Sequence, residues 1–300
     1  MNKKEIISHA LLFAVALIYG ANYVWAKWIM PDPIPPNGFI LLRALGAVLL
    51  FWTFTRKYWI WPRHNDWPAI ILCGATGIAI NQLFFFNGLS LTAPIHAAII
   101  MTLTPIIVTA FSIFILKQST ATHQWWGILI GLVGAVGFIG YGQLNPMQGA
   151  SFLGDLFILI NAISYSIYLI AVKPLMSKYH PLSLIPWFFT IGLILILPFG
   201  WQEMRQVSFS SFTVTQWSVL LFVILFVTFL TYLFNIIAIR NLSPTITGIY
   251  IYLQPPLAAL FSVLSGMNFS DLFNLPKIFL IVLICLGILL VSIPGTFKKG

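Results

Sequence analysis

Charge is what this chain has least of. Asp, Glu, Lys and Arg together make up 7% of its 300 residues, against 60% hydrophobic, and the mean hydropathy is +0.97. A soluble domain carries about 25% charged residues, so this composition cannot cover a core with a solvated surface. The chain reads as an all-α polytopic membrane protein. Acid is scarcer still: the six carboxylates, Glu5, Asp32, Asp66, Asp155, Glu203 and Asp271, all fall in loops or at span ends. The expected midplane is left without a carboxylate to carry a proton or a sodium ion. Cysteine is almost missing. Cys73 and Cys285 stand alone mid-span with no CxxC or Cys/His neighbour, and each is expected as a buried, inert thiol. No phosphate loop, dinucleotide fingerprint, HExxH pair or Ser/His/Asp set is present. Catalysis, ATP-driven transport by this chain alone, a cofactor and a metal site are therefore not expected. The net charge of +9 is not gathered into a cluster that could hold a nucleic-acid duplex.

Long hydrophobic runs are what the chain has in quantity. A bilayer core takes about 20 apolar residues per helix. Ten spans fit, at 8–30, 37–55, 67–89, 94–116, 123–141, 152–172, 182–200, 217–239, 244–266 and 275–294. The first follows Lys3 and Lys4 and runs on without a small-residue cleavage site, as a retained signal anchor does. With the N-terminus in the cytoplasm, the inside loops hold Lys3, Lys4, Arg56, Lys57, Arg63, Lys117, Lys173, Lys178, Arg240, Lys298 and Lys299. Lys27, Arg205 and Lys277 fall at outside ends, and Arg43 lies within the second span. This bias predicts both termini in the cytoplasm, in a bacterial inner membrane.

The chain also repeats itself. At an offset of 150 residues, Pro94 falls on Pro244, Leu103 on Leu253, Pro105 on Pro255, Phe111 on Phe261 and Ser112 on Ser262. At an offset of 146, Ala16, Tyr19, Lys27 and Met30 meet Ala162, Tyr165, Lys173 and Met176. The repeats are 8–141 and 152–294. Five spans is an odd number, so the second copy must insert upside down, giving ten transmembrane helices in two inverted five-helix repeats. Such duplication is the mark of secondary transporters, whose site lies between the halves.

Polar residues inside the spans point to that site. Pro105 and the Pro255-Pro256 pair sit near the middle of spans four and nine, where each frees a backbone carbonyl and bends its helix. Prolines also shape helix packing alone, but their match across the repeat points to a central cavity. Asn161, Tyr165 and Tyr168 share one face of span six, and Tyr19 and Asn22 echo them on span one. Thr228, Tyr232 and Asn235 stripe span eight; Thr247, Tyr250 and Gln254 stripe span nine; Asn81, Gln82 and Thr104 add to spans three and four. Such groups either bond one another between helices, at ~0.6 kcal/mol each, or face a lumen. The substrate-binding set expected is Tyr19, Asn22, Asn81, Tyr165, Tyr168, Tyr232, Asn235, Tyr250 and Gln254. Arg43 is expected to snorkel outward as an anchor, with Asp32 as its partner and a substrate-carboxylate contact as its second role. His96 reads either as a packing residue near the outer interface or as a proton relay. Gly127, Gly131 and Gly134 make a small-residue ridge for close helix packing on span five.

These residues resemble a family. Arg43-Ala44 and Ala47 look like the R-x-x-x-A segment of EamA-type permeases of the drug/metabolite transporter superfamily. Leu103-Thr104-Pro105 and Leu253-Gln254-Pro255 are similar to its L-x-P, and residues 127–137, GILIGLVGAVG, to the glycine pattern of its fifth helix. Where that family usually has Glu after the fourth helix of each repeat, this chain has Gln118 and Asn268. The resemblance implies a transporter of small organic metabolites, amino acids and related neutral or zwitterionic solutes foremost, as exporter or facilitator. Its partners are a small-molecule substrate and the lipid bilayer, and monomer and homodimer are equally compatible with it. A flippase for a lipid-linked metabolite is the nearest alternative. An intramembrane enzyme is more distant, since Asp32, His96 and Asp155 are expected to be scattered. With no midplane carboxylate, facilitated transport is expected, or at most weak proton coupling through His96.

Overall fold

The computed structural model describes residues 3–114, 121–144, 151–241, 250–267 and 274–292. Among these residues the chain is helical, without strands, in ten successive helices. These are α1 (Lys3–Ile29), α2 (Pro36–Phe54), α3 (Trp67–Gly74, Ala75–Ala79 and Ile80–Leu91), α4 (Pro94–Met101 and Thr104–Phe114) and α5 (Thr122–Leu144). They continue as α6 (Phe152–Lys178), α7 (Pro181–Gln206), α8 (Val214–Phe222, Val223–Leu230 and Thr231–Asn241), α9 (Tyr250–Leu253 and Gln254–Leu264) and α10 (Leu275–Ser292). Seven are long and apolar enough to cross a bilayer: α1 to α4 and α6 to α8. The stretches Tyr250–Leu264 and Leu275–Leu290 are shorter apolar helices. Thr247, Pro244, Gln118 and Asn268 lie outside the described residues.

Starts are set by local chemistry. Proline occupies the first positions of α2, α3, α4 and α7, where its missing N–H has no partner to lose. Ser151 caps α6 by accepting from Gly154 N at 3.0 Å, and Thr213 and Gln216 form a reciprocal capping box on α8. α6 and α7 run six residues beyond their expected ends, to Lys178 and Gln206, because polar residues past the hydrocarbon continue the helix into the interface. Large apolar side chains such as Leu49, Val136, Val214 and Leu275 point outward, as a lipid-facing surface requires.

Equivalent helices of the two repeats pack against each other and run antiparallel. On α2 and α7, Asn37 and Gly38 meet Glu203 at one end, while Phe51 and Trp52 meet Phe189 and Trp187 at the other. On α5 and α10, Gly131 lies against Gly287, Gly134 against Ile284 and Gly137 against Leu280. Inverted repeats require this arrangement. α1 packs on α8 and α9, and α6 on α3 and α4, so exchanging the halves reproduces the contacts. The α5–α10 contact is the close packing expected of the glycine ridge: a Cβ on Gly287 would lie 2.6 Å from the Gly131 backbone. Cys285 corrects an expectation. It is exposed, because α10 meets α5 through the face carrying Ile284 and Gly287, and the neighbouring position turns outward.

Each end of the bundle is fastened. At the Lys27 end, Glu203 on α7 accepts from Asn37 N and Gly38 N at 2.7 and 3.1 Å and so caps α2 with an anion. Lys27 Nζ donates to the carbonyls of Leu89 and Ser90, both at 3.1 Å. At the other end, segment 55–66 is tied to the α6–α7 junction. Asp66 accepts from Lys178 Nζ at 2.6 Å and from Tyr179 OH at 2.7 Å, and the Tyr58 and His180 rings stack at 4.5 Å. Trp52, Trp59, Trp61, Trp67 and Trp187 pack edge to face around this junction, as interfacial aromatics do.

Candidate functional site

The interior of the bundle is built around four interrupted helices, matched in pairs by the repeat. α4 stops at Met101 and restarts at Thr104, and α9 passes from a tight Tyr250–Leu253 turn into Gln254–Leu264. Pro105 and Pro255 thus begin new helical segments rather than bending continuous ones. The carbonyl freed at Met101 accepts from Thr104 Oγ1 at 2.8 Å. The sequence did not predict the second pair. α3 widens into a π turn over Ala75–Ala79 and α8 over Val223–Leu230, positions that coincide at the 150-residue offset. Wide turns loosen the carbonyl ladder, and such bulges occur frequently at functional sites. Side chains from other helices take up what is loosened: Ser164 Oγ donates to Thr76 O at 2.7 Å, and Tyr232 OH approaches Gly77 O at 3.5 Å.

Tyrosines from both halves meet at these widened turns. Tyr165 and Tyr168 stack at 5.7 Å on α6, and Tyr168 lies over Gly77, where a Cβ would sit 2.4 Å from its ring. Only glycine admits the ring there. Tyr232 packs edge-on to Phe189, and Tyr19 shares a 3.2 Å hydroxyl hydrogen bond with Thr231. Phe188, Phe189, Thr231 and Gly77 around them are buried, yet Tyr19, Tyr165, Tyr168 and Tyr232 are only half-buried. These rings touch fully buried neighbours and still keep accessible surface. One turn nearer the Lys27 end, Tyr23 OH donates to Gln254 Oε1 at 2.9 Å, and Asn161 Nδ2 donates to Asn81 O at 2.7 Å. Asn22 Oδ1, Asn161 Oδ1 and both amide atoms of Gln82 are buried without a partner. Tyr23 was missed in the sequence although it stands four residues after Tyr19 on the same helical face.

Arg43 joins this wall rather than the interface, contrary to the outward anchor expected. It is 3% exposed, its Nε and NH2 donate to Thr228 Oγ1 at 3.1 and 2.9 Å, and its Cζ lies 4.2 Å from the Phe86 ring centroid. Asp32 is exposed, and Arg43 forms no ion pair among the described residues. Thr228, on the π turn of α8, draws the side chain inward.

His96 is also placed differently. It and Asp155 were expected far apart, yet His96 Nδ1 lies 3.2 Å from Asp155 Oδ2, and Thr92 Oγ1 donates to Asp155 Oδ1; all three residues are 0% exposed. Asp155 lies in the first turn of α6, so it is at a span end as expected, but the meeting of α3, α4 and α6 encloses it. No local sequence signal announces that pairing. Tyr250 bonds His9 Nδ1 at 2.8 Å, and His9 is ten residues from Tyr19, about 15 Å along α1. It therefore stands nearer the Lys3 end than the tyrosine cluster does. Asn235 is half-buried on α8, Pro255 half-buried and Pro256 exposed. No group of three or more His, Cys, Asp or Glu able to hold a metal occurs among the described residues.

The family model described as the EamA-like transporter family matches the chain twice, over residues 6–140 and 152–293. A protein of Archaeoglobus fulgidus named an uncharacterized transporter is 22% identical over 277 residues, covering 91% of this chain and 93% of its own. Uncharacterized transporter YyaM of Bacillus subtilis is 24% identical over 295 residues, covering 96% and 94%. A solved crystal structure shares the fold with a TM-score of 0.61 at 17% identity, over 94% of this chain and 95% of that one.

Proposed function

The chain belongs to the EamA-like transporter family, and from that premise we propose that it carries small organic metabolites by alternating access, without ATP. Amino acids and related neutral or zwitterionic solutes are its cargo, moved as an exporter or facilitator. The observation that carries this reading is the cluster of Tyr19, Tyr165, Tyr168 and Tyr232, half-accessible rings from both repeats. It lies where α3 and α8 widen, close to the restarts of α4 and α9. Discontinuous helices at the junction of inverted repeats are where transporters hold their cargo. The tyrosines stack on and hydrogen-bond the solute, Asn22, Asn81, Asn235 and Gln254 orient its polar ends, and Pro105 and Pro255 keep the helix breaks open. Tyr250 with His9 and Asp155 with His96 lie toward opposite ends of this path. Both termini face the cytoplasm of a bacterial inner membrane, on the distribution of Lys and Arg.

The test is flux. Purified protein in liposomes, loaded with labelled amino acids and related metabolites, is expected to equilibrate at least one of them faster than empty liposomes do. Tyr232→Ala and Tyr168→Ala are expected to reduce that flux by about tenfold or more, since each removes a stacking ring and a hydroxyl. A panel of this kind that gave neither flux nor binding would overturn the reading.

A further inference from the structure

Among the described residues, Arg43 is a cation sunk in the protein with nothing of opposite charge against it. A charged side chain at a helix centre costs about 2.5–3.5 kcal/mol on insertion scales, and buried charges are ordinarily paired. Arg43 stands eight residues into α2, about 10 Å from its start, and is 3% exposed. Among the described residues its partners are one hydroxyl and one ring face. Thr228 Oγ1 takes both Nε and NH2, while its own proton goes to Val223 O at 2.8 Å. The guanidinium carries five donors. NH1 is buried without a partner, and NH2 retains a second hydrogen. The edge of the fork formed by NH1 and NH2 is therefore free. Gln82, one helical turn before Phe86 on α3, also has both amide atoms buried and unpartnered. Tyr19 and Tyr232, two rings of the tyrosine cluster, lie within electrostatic reach of the guanidinium.

We infer that Arg43 receives the carboxylate of the transported solute, which narrows the cargo to small organic carboxylates such as amino acids. This rests on the transporter reading above. A planar carboxylate matches the free NH1/NH2 edge with two parallel charge-assisted hydrogen bonds. One negative charge is what the site can balance. Lys27 is occupied by the carbonyls of Leu89 and Ser90, and the groups in contact with Arg43 are the neutral Thr228 hydroxyl and the Phe86 ring. A phosphate monoester, with close to two charges, would leave one unbalanced.

The experiment compares ligands before it compares variants. The full-length protein in detergent is titrated with the L-amino acids, their C-terminal amides and the corresponding decarboxylated amines, with thermal midpoint and tracer displacement as readouts. At least one acid is expected to bind, and its amide and amine are expected to bind at least about tenfold more weakly. In R43Q the acid is expected to fall to the level of its amide; R43K, which keeps the charge and loses the fork, is expected to lie between. An acid and its amide binding equally well to the wild type would overturn the inference and leave the transporter reading standing. If none of the three ligand series bound, the inference and the amino-acid cargo it rests on would both fall. The wild-type comparison decides the matter even if R43Q does not fold.

Discussion

Asp155 and Asp66 each join helices from different halves, but they sit in opposite surroundings. Asp155 is fully enclosed, so its bonds to Thr92 and His96 replace water entirely. Removing one side of such a buried hydrogen-bonded pair costs about 1–3 kcal/mol for each partner left without water or protein to bond. Asp155→Ala is expected to lower the thermal midpoint in detergent markedly, and Asp155→Asn, which keeps an acceptor for Thr92, to lower it less. Equal midpoints for wild type and Asp155→Ala would mean the pair does not hold α3, α4 and α6 together. Asp66 bonds a half-exposed Lys178, and its loss is expected to cost less. Hydrogen bonds from Lys178 and then Tyr179 hold its carboxyl below the usual carboxylate range. The folded chain therefore binds that proton less readily than the unfolded chain. The contribution is complete above the unfolded value of about 3.9 and is lost as pH falls through the lower folded value. The midpoint difference between wild type and Asp66→Asn should stay constant from pH 7 to 5 and shrink below about pH 4. A difference that grew on acidification would contradict this account.

The contact between α5 and α10 tests whether the glycines set helix spacing. At Gly287 a Cβ would meet the backbone of Gly131 at 2.6 Å, and backbone cannot step aside without moving the helix. At Gly131 the first obstacle is the tip of Ile106, at 2.2 Å, which can rotate away, with the Gly287 backbone at 3.7 Å. Gly287→Ala is expected to destabilise by about 1–3 kcal/mol through overpacking, and Gly131→Ala by clearly less. Thermal midpoints of the two variants in one detergent give the order, and the reverse order would show that α10 adjusts more freely than Ile106. The existence of this ridge was legible in the sequence, because three glycines on one helical face leave few other readings. The widened turns of α3 and α8 were not legible. Neither Ala75–Ala79 nor Val223–Leu230 contains proline, and a π turn is selected by partners such as Ser164 and Tyr232 that lie 88 and 155 residues away. The inward turn of Arg43 was hidden for the same reason, since Thr228 is 185 residues distant.

At the scale of the whole molecule, antiparallel packing of equivalent helices follows from counting. Five helices per repeat place the start of the second copy on the opposite side from the start of the first, and the contacts of α2 with α7 and α5 with α10 obey that. Hydrophobic runs and the 150-residue offset carried this much in the sequence, because both depend on composition rather than on distant partners. Which end faces the cytoplasm depends on the basic loops alone. Lys27 and Lys173 occupy equivalent positions of the repeat, so inversion puts them on opposite sides of the membrane, and the basic loops predict Lys27 outside. Single cysteines at each, in a background lacking Cys73 and Cys285, test both statements with a membrane-impermeant thiol reagent on intact cells. Lys173 is exposed and reports directly. Lys27 is half-buried and bonded to Leu89 and Ser90, so exposed Asp32→Cys serves as a second reporter of the same end. Lys27→Cys and Asp32→Cys are expected to label from outside and Lys173→Cys only after the cells are opened. The opposite pattern would keep the inverted repeats and reverse the orientation, whereas labelling of all three from one side would remove the inversion itself.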